Sequence, residues 1–462
     1  MNRNKSTNKK NTRKVTNARE KALDILVKIE ENSGFSNLVL QNELKDTPFD
    51  KRDRGLITEL VYGTIQRMNT IDFIVNHFLT KRKIETLDTW LKQLLRMAAY
   101  QIRFLEKIPE RAVVNESVET AKRWGHQGIS SFVNGVLRNL IRSPELPLLP
   151  NKDRKPIEYF SLSYSFPIWM IEKWIAQYGL EKTETMLEVM VQPAPFTIRH
   201  NTLKTEPSTF EGLLSETQLQ WEKSPYVKEA YYVKGIGDVS QNKLFTEGYF
   251  TIQDESSMLV ATVLSPKSDE LILDACSAPG GKTTHIAEIQ RDKGKVIANE
   301  IHPHKISLVE QLAKRLGIQS IETHLGDFLE FESEQLYSSV LLDAPCSGLG
   351  VIRRKPELKW NIKEESIADL IQLQQRLIRH AAKYVRPGGT LVYSTCTINR
   401  DENINIIEQF LAEHSEFQPA RIQEYIPESI QSKINMSHEH MVQIFPQDMN
   451  SDGFFIAKLR KL

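Results

Sequence analysis

The sequence predicts a multi-domain protein with an all-α N-terminal domain, a small α+β subdomain and a C-terminal α/β domain built on a parallel sheet. Three observations support this prediction. Amphipathic helical patterns fill residues 17–143, β-type runs with polar turns occur in residues 160–255, and strand-like and helix-like segments alternate within residues 256–462. Alternation of this last kind is typical of parallel strands joined by crossover helices.

Apolar residues at helical spacing define the N-terminal domain. Asn17 is a suitable N-cap, and Leu23, Leu26 and Ile29 after it share one face of a helix. Similar i, i+3, i+4 patterns recur up to about residue 143. Residues 144–159 contain four prolines and mixed charges, which is typical of an inter-domain linker.

Residues 1–16 form a predicted disordered tail that is basic and contains no acidic residue. Such a tail could contact nucleic-acid phosphates, although a merely solvating tail fits the composition at least as well. The whole chain has a net charge of only +1, so its total charge gives no argument for a nucleic-acid partner.

The small subdomain begins with a short helical run that carries Trp169 and Trp174. β-type runs separated by polar turns follow, and we interpret residues 248–264 as part of the same β-type pattern.

Composition and cysteine usage limit the class of protein. No eighteen consecutive apolar residues occur, and the N-terminus has no apolar segment typical of a secretory signal. The three cysteines form neither an even disulfide framework nor a CxxC pair, so we expect a reducing compartment and no metal site. We therefore expect a soluble, cytoplasmic, monomeric protein without membrane association.

A nucleoside-cofactor site is predicted where the first strand of the C-terminal domain ends. Gly280 and Gly281 form a turn between this strand and a helix, whose free N–H groups suit a carboxylate or a phosphate. Glu300 ends the next strand at the distance where an acid accepts ribose hydroxyls, and Asp327 ends a third, where it could accept an adenine amino proton. A site for a nucleoside at one end and a carboxylate at the other matches S-adenosylmethionine. NAD is the main competitor, and each acid taken singly could also be a surface carboxylate.

Two cysteines follow neighbouring predicted strands of the same domain. Cys346 comes shortly after Asp343, and Cys396 comes after the next strand, so both could face one pocket at one edge of the sheet. Cytosine C5 accepts a methyl group from a sulfonium only after a thiolate has added at C6, and a second group must then remove the C5 proton. Two thiols suit this chemistry. Two inert buried thiols are the alternative, and chemistry alone leaves open which cysteine attacks.

These motifs resemble those of the RNA cytosine-5 methyltransferases, with DAPCSG and STCT as cysteine motifs and DACSAPGGKT as cofactor motif. The resemblance covers nearly the whole chain. The helical domain resembles the RNA-binding fold of the NusB antitermination factor, and the combination is similar to the bacterial small-subunit rRNA methyltransferases of the RsmB/Sun type. It implies a NusB-like domain, an RNA-recognition subdomain and a Rossmann-like domain that transfers methyl from S-adenosylmethionine to C5 of a 16S rRNA cytosine, expected in a loop.

The resemblance also implies roles for individual residues. Cys396 is the implied nucleophile, Cys346 assists proton removal or product release, and Asp343 steadies the N3/N4 edge of cytosine. The cofactor is implied to contact Cys276, Ser277, Ala278, Pro279, Gly280, Gly281, Lys282, Glu300, Asp327 and Asp343.

Three of these residues have a further role or depart from the family pattern. Lys282 could also favour a catalytic thiolate, with a purely cofactor-shaping lysine as the alternative. Glu300 stands where the family usually has aspartate, and its longer side chain still accepts ribose hydroxyls. Cys276 is expected to act through its backbone, with a side chain that is a small buried hydrophobe.

Two basic clusters are candidate RNA contacts because phosphates could dock on them. They comprise Arg199 and Asn201 in one segment, and Arg353, Arg354, Lys355 and Lys359 after Cys346. A packed strand with polar ends explains the first equally well, and a solvated charged loop could explain the second. Alternative functions are methylation of tRNA or another RNA, a non-catalytic RNA-binding adaptor, or methylation of DNA or a small molecule.

Overall fold

The computed structural model describes residues 15–32, 34–45, 47–145, 147–434 and 438–462. Contacts divide the chain into one unit of Met1–Glu172 with Lys355–Glu357 and a second unit of Lys173–Arg354 with Leu358–Leu462. The basic residues predicted to form the tail, Arg3 to Lys14, lie outside the described residues.

The first unit is helical, as the periodicity predicts. Asp50 is the N-cap of its third helix and accepts a hydrogen bond from the backbone N–H of Asp53 at 2.8 Å. The fifth helix lies deepest, and its Arg96 forms a buried ion pair with Asp72 at 2.6 Å. The helices are α1 Ala18–Asn32, α2 Ser36–Leu44, α3 Lys51–Gln66, α4 Met68–His77, α5 Thr89–Phe104, α6 Glu110–Trp124, α7 Gln127–Arg142 and α8 Pro156–Tyr164.

Helix α8 begins inside the segment 144–159 that the prolines predicted to be a linker. The reason is that Pro156 occupies the first turn of the helix. Proline is favourable there because its missing N–H would have no intrahelical partner.

The remaining elements belong to the second unit, except that α9 crosses the division between the units. The helices are α9 Ile168–Tyr178, α10 Leu180–Met190, α11 Pro207–Ser215, α12 Lys243–Thr246, α13 Glu255–Leu264, α14 Gly281–Ile289, α15 Pro303–Leu316, α16 Leu358–Asn361, α17 Glu364–Lys383, α18 Ile404–Glu413, α19 Glu428–Gln431 and α20 Pro446–Met449. The strands are β1 Thr197–His200, β2 Gln220–Lys223, β3 Ala230–Lys234, β4 Phe250–Ile252, β5 Leu271–Asp274, β6 Lys295–Glu300, β7 Ile321–Leu325, β8 Tyr337–Asp343, β9 Val385–Thr395, β10 Phe417–Pro419, β11 Met441–Ile444 and β12 Phe454–Lys461.

Strands β1 to β4 form a small antiparallel sheet in the order β2-β3-β1-β4. Ile198 of β1 pairs in register with Tyr231 of β3 and Ile252 of β4. Phe210 of α11 packs against this sheet, so helix and sheet share one apolar core. This is the small α+β subdomain that the sequence predicts.

The interpretation of residues 255–264 as β-type is wrong, because they form helix α13. Their valines and leucines favour a strand, but Asp254 accepts a hydrogen bond from the N–H of Ser256 at 3.0 Å and starts a helix. Met258, Leu259 and Val260 are all buried, so packing around the whole helix outweighs strand propensity.

The larger sheet has the order β10-β12-β9-β8-β5-β6-β7, and β11 pairs with β12 beside β10. Strands β5 to β9 are parallel, whereas β12 runs antiparallel to β9. The chain builds outward from β5 through β6 to β7 and then returns to place β8 on the other side of β5. Such a switch point opens a crevice at the carboxyl ends of the strands, which is where ligands bind in sheets of this kind.

None of the helices in the described part of the chain combines the length and apolarity that a membrane crossing requires.

Candidate active site

The carboxyl ends of the parallel strands carry several residues that the sequence singles out, together with Asp274, which it does not. Strands β5, β6 and β8 end at Asp274, Glu300 and Asp343, and Cys396 directly follows β9. Strands β8 and β9 pair in register up to Asp343 and Ser394, so the loops that carry the two cysteines start side by side.

The two cysteines meet, as their positions after adjacent strands predict. The sulfur atoms of Cys346 and Cys396 lie 3.4 Å apart. The N–H of Gly350, in the loop after Cys346, donates to the carbonyl of Cys396 at 3.0 Å. A Cβ at Gly350 would lie 2.0 Å from the carbonyl oxygen of Gly453, so only glycine allows this close approach.

The environment of Cys346 favours its protonated form. The hydrogen bond with Cys396 and burial both raise the pKa of the Cys346 thiol well above its usual value. Burial and the neighbouring thiol thus both disfavour a thiolate on Cys346, and either sulfur can be the donor of the hydrogen bond between them.

Lys282 and Asp343 form an ion pair beside the thiols. Their charged atoms lie 2.7 Å apart, and the hydroxyl of Ser394 donates to the other carboxylate oxygen at 2.8 Å. Burial lowers the pKa of Lys282, but Asp343 and then Cys396 outweigh this effect and the pKa rises. Lys282 is therefore protonated close to Cys396, and its role in favouring a thiolate there stays a prediction.

The glycine turn has the geometry expected of a close backbone approach. Gly280 has φ of +101°, and a Cβ there would lie 3.2 Å from the Cα of Val309. Helix α14 starts at Gly281, and the N–H of Ser277 bonds to the carbonyl of Asn299 at the end of β6 at 2.9 Å. The turn is thus held against the neighbouring strand.

Asp274 is a site residue that the sequence analysis missed. Thr283 donates to one of its carboxylate oxygens at 2.7 Å, and the other oxygen is buried and has no hydrogen-bond partner among the described residues. Burial raises the pKa of Asp274 to about 7. The rule that selected Glu300 and Asp343, an acid at a strand end, applies to Asp274 as well and could have found it.

Glu300 ends β6, whereas Asp327 lies two residues after the end of the adjacent strand β7, where it is the N-cap of a 3-10 turn. Glu300 accepts the N–H of His302 at 2.9 Å, and Asp327 is exposed and accepts the N–H of Leu329 at 2.9 Å. The side-chain amide of Asn299 donates to Ala275 at 3.1 Å and to Gly326 at 3.3 Å, and so connects the ends of β5, β6 and β7.

Cys276 lies apart from the reactive pair. Its side chain packs against the apolar core, and burial followed by the charge of Asp274 raises its pKa. This placement agrees with the expected role through the backbone.

Arg199 and Asn201 lie inside the fold, so the structure does not support a surface RNA contact at either. The guanidinium of Arg199 is fully buried and bonds to the carbonyl of Gly281 and to Glu288, both at 2.7 Å. The amide of Asn201 donates to the carbonyls of Gly248 and Leu316, both at 2.9 Å. Arg199 therefore connects the small sheet to helix α14, and Asn201 connects it to the end of helix α15.

Replacing Arg199 by methionine is expected to reduce the free energy of unfolding by about 3–5 kcal/mol, because Glu288 would stay buried without its cation. Lys223→Met is the matched control, since Lys223 forms an exposed pair with Glu211 and its loss should change stability by less than about 1 kcal/mol. Urea denaturation of the full chain measures both values. Equal losses for the two variants would contradict the structural role of Arg199.

The second basic cluster is also largely internal. Arg353 is 8% exposed, and it donates to the carbonyls of Pro193 at 2.7 Å and Asn450 at 3.1 Å. Arg354 pairs with Asp254 at 2.7 Å and Asp452 at 2.9 Å. Burial and these partners explain why neither arginine forms a free phosphate site.

Lys359 is fully buried, which also removes it from the predicted RNA surface. Lys355 is partly exposed, and its ammonium lies 5.4 Å from the ring centre of Phe35. The sequence shows the positive charge of these residues but not their burial. Of the predicted contacts, Lys355 keeps the exposure that a phosphate contact needs.

The fold and the site define an S-adenosylmethionine-dependent methyltransferase with a helical N-terminal domain. The chain belongs to the 16S rRNA methyltransferase RsmB/F family, whose model matches residues 261–460. The NusB family matches residues 16–142, and the ferredoxin-like domain of the RsmF/B-like methyltransferases matches residues 166–240. These matches confirm the resemblance, the fold class, the enzyme class and the cofactor that the sequence predicts.

Similar proteins extend over nearly the whole chain. The probable ribosomal RNA small subunit methyltransferase B of Bacillus subtilis (strain 168) is 40% identical, over 97% of this chain and 99% of its own length. The crystal structure of PH0851 matches with a TM-score of 0.79 and 26% identity, over 97% of this chain and 100% of that chain. NSun6 from Pyrococcus horikoshii, solved with the S-adenosylmethionine analogue SFG, has a TM-score of 0.58 and 25% identity, over 64% of this chain and 99% of that chain.

Proposed function

We propose that this protein transfers the methyl group of S-adenosylmethionine to C5 of a cytosine in small-subunit rRNA, through a covalent bond between Cys396 and C6. The observation that carries the proposal is the 3.4 Å separation of two thiols beside a lysine and an acid at the switch point of the sheet. The names of the relatives support small-subunit rRNA as the substrate.

The proposed reaction divides its proton and bond changes between the two cysteines. The thiolate of Cys396 adds to C6, which makes C5 nucleophilic enough to take the methyl group. Cys346 then passes its proton to the departing sulfur of Cys396, and its thiolate accepts the C5 proton, so that the electron pair of the C5–H bond forms the C5–C6 double bond while the pair of the C6–S bond returns to Cys396. Cys346, whose sulfur lies beside that of Cys396, assists this release. Asp343 steadies the N3/N4 edge of the base.

The site residues fit S-adenosylmethionine, which supplies an electrophilic methyl group when bound. The free carboxylate oxygen of Asp274 is a buried acceptor suited to an ammonium group. Glu300 and Asp327 would accept from ribose hydroxyls and the adenine amino group. The turn from Cys276 through Lys282 and the carboxylate of Asp343 would complete the binding site.

The assignment of Cys396 as nucleophile is supported by the environment of its partner. Burial and the neighbouring thiol raise the pKa of Cys346, which disfavours its thiolate, and the family resemblance assigns the attack to Cys396. A thiolate on Cys396 would gain from the positive charge of Lys282, whose pKa Cys396 helps to raise.

Bisulfite sequencing of total RNA from cells with and without the gene tests the substrate. We expect one protected cytosine in small-subunit rRNA to become convertible when the gene is deleted, and an active-site variant should fail to restore protection. A flipped or looped-out cytosine is the expected target because the thiols cannot reach C6 of a stacked base. Loss of a tRNA signal instead would refute rRNA as the substrate.

A further inference from the structure

Glu402 is a buried acid that the proposed reaction does not use. It ends the short 3-10 turn Arg400–Glu402, and its side chain is inaccessible to solvent. The ion pairs found among the described residues include none with Glu402. A buried carboxylate without a cation requires hydrogen bonds to compensate for its lost hydration. The residues that donate these bonds are therefore the segments that Glu402 holds in place.

The donors come from both cysteine loops. Ser347, directly after Cys346, donates its N–H at 2.8 Å and its hydroxyl at 2.6 Å. Thr397, directly after Cys396, donates its hydroxyl at 3.4 Å, and Asn399 donates its amide at 3.0 Å. One carboxylate therefore receives hydrogen bonds from the residues that follow each thiol.

A further contact extends this arrangement to the residue before Cys346. The amide of Gln374 donates to Glu402 at 3.1 Å and to the carbonyl of Pro345 at 3.0 Å. The hydroxyls of Ser347 and Thr397 also lie 2.8 Å apart. The loop that carries Cys346 is thus fixed on both sides of the thiol, while Cys396 directly follows strand β9.

We propose that Glu402 is the positioning residue that holds the Cys346 loop against the Cys396 loop, so that Cys346 reaches the adduct formed on Cys396. This inference rests on the proposed two-cysteine reaction. Glutamine at this position would replace one carboxylate oxygen by an NH₂ group. That group would face a hydrogen-bond donor of Ser347, Asn399 or Gln374, so one hydrogen bond would be lost. The Cys346 loop would then move relative to Cys396, and the release step would suffer more than the attack.

The geometric part is tested without RNA. Diamide oxidises two adjacent thiols to a disulfide while it is itself reduced to the hydrazine, and peptide mass spectrometry follows the Cys346–Cys396 product. In the full chain we expect Glu402→Gln to slow this reaction about 10-fold. Glu255→Gln is the matched control, because Glu255 is equally buried and accepts from the hydroxyls of Ser224 and Tyr232. The control should react at the wild-type rate.

The catalytic part is tested with a small-subunit rRNA fragment. We expect Glu402→Gln to lower kcat by about 10- to 100-fold, as a misplaced group does, while KM for S-adenosylmethionine stays within about twofold. A denaturant-stable complex of protein and RNA should accumulate. Ser347→Ala, which removes one of the donors, should show the same effects more weakly, and it serves if Glu402→Gln fails to fold.

The outcomes separate the two proposals. Wild-type cross-linking and turnover in both Glu402→Gln and Ser347→Ala would overturn the role of Glu402. An RNA left unmodified by the wild-type protein, with no adduct formed by Cys346→Ala, would overturn the proposed function, and the diamide comparison would still decide whether Glu402 holds the loops together.

Discussion

Cys396→Ala is expected to abolish methyl transfer, with a fall in kcat on the order of 10⁴-fold or more, because alanine cannot form the bond to C6. The variant should also form no denaturant-stable complex with RNA. Tritium transfer from labelled S-adenosylmethionine measures the first effect, and denaturing gel electrophoresis measures the second.

Calorimetry with S-adenosylmethionine provides the control for Cys396→Ala. The variant should bind the cofactor with an affinity close to that of the wild type, because the glycine turn and the acids at the strand ends are unchanged. Methyl transfer at more than about one tenth of the wild-type rate would contradict the role of Cys396 as nucleophile.

Cys346→Ala is expected to trap the enzyme on its RNA. Attack by Cys396 and methyl transfer remain possible, but release of the adduct loses its assisting group. A catalytic proton-transfer group typically contributes about 10²- to 10⁴-fold, so multiple turnover should fall by that factor while a single burst of methylation persists. Denaturing electrophoresis should show a protein–RNA band that the wild type lacks and that carries the transferred methyl group.

The two variants together decide the order of the cysteines. If Cys346→Ala forms no adduct and Cys396→Ala accumulates one, the assignment of the two roles is reversed. The double variant should resemble Cys396→Ala, because the adduct must form before its release can be impaired.

The meeting of Cys346 with Cys396 could be predicted from the sequence because it depends on a local rule. Each follows a hydrophobic strand, and carboxyl ends of neighbouring parallel strands share one edge of a sheet. The same rule placed Glu300 and Asp343. These predictions depend on where each strand ends along the chain, which the apolar pattern indicates.

Burial of charged residues could not be predicted in this way. Arg199 and Arg353 lie in basic segments of the kind that usually face solvent. Their partners are backbone carbonyls and acids distant in the chain, which the sequence does not show. Glu402 has the same difficulty, because the polar segment around it looks solvated until the loops of Ser347 and Thr397 close on it. Helix α13 was missed because a local N-cap and tertiary packing outweigh the strand propensity of its valines.

The contacts of Arg199 also determine how parts of this chain can be exchanged with those of its relatives. Arg199 of strand β1 donates hydrogen bonds to residues of helix α14. The small sheet and helix α14 are therefore expected to tolerate exchange only together. A chimaera that took residues 166–240 from a relative would remain compatible only if the donor also carried a cation opposite Glu288. Recombination within this family should therefore favour joint transfer of the small sheet and helix α14.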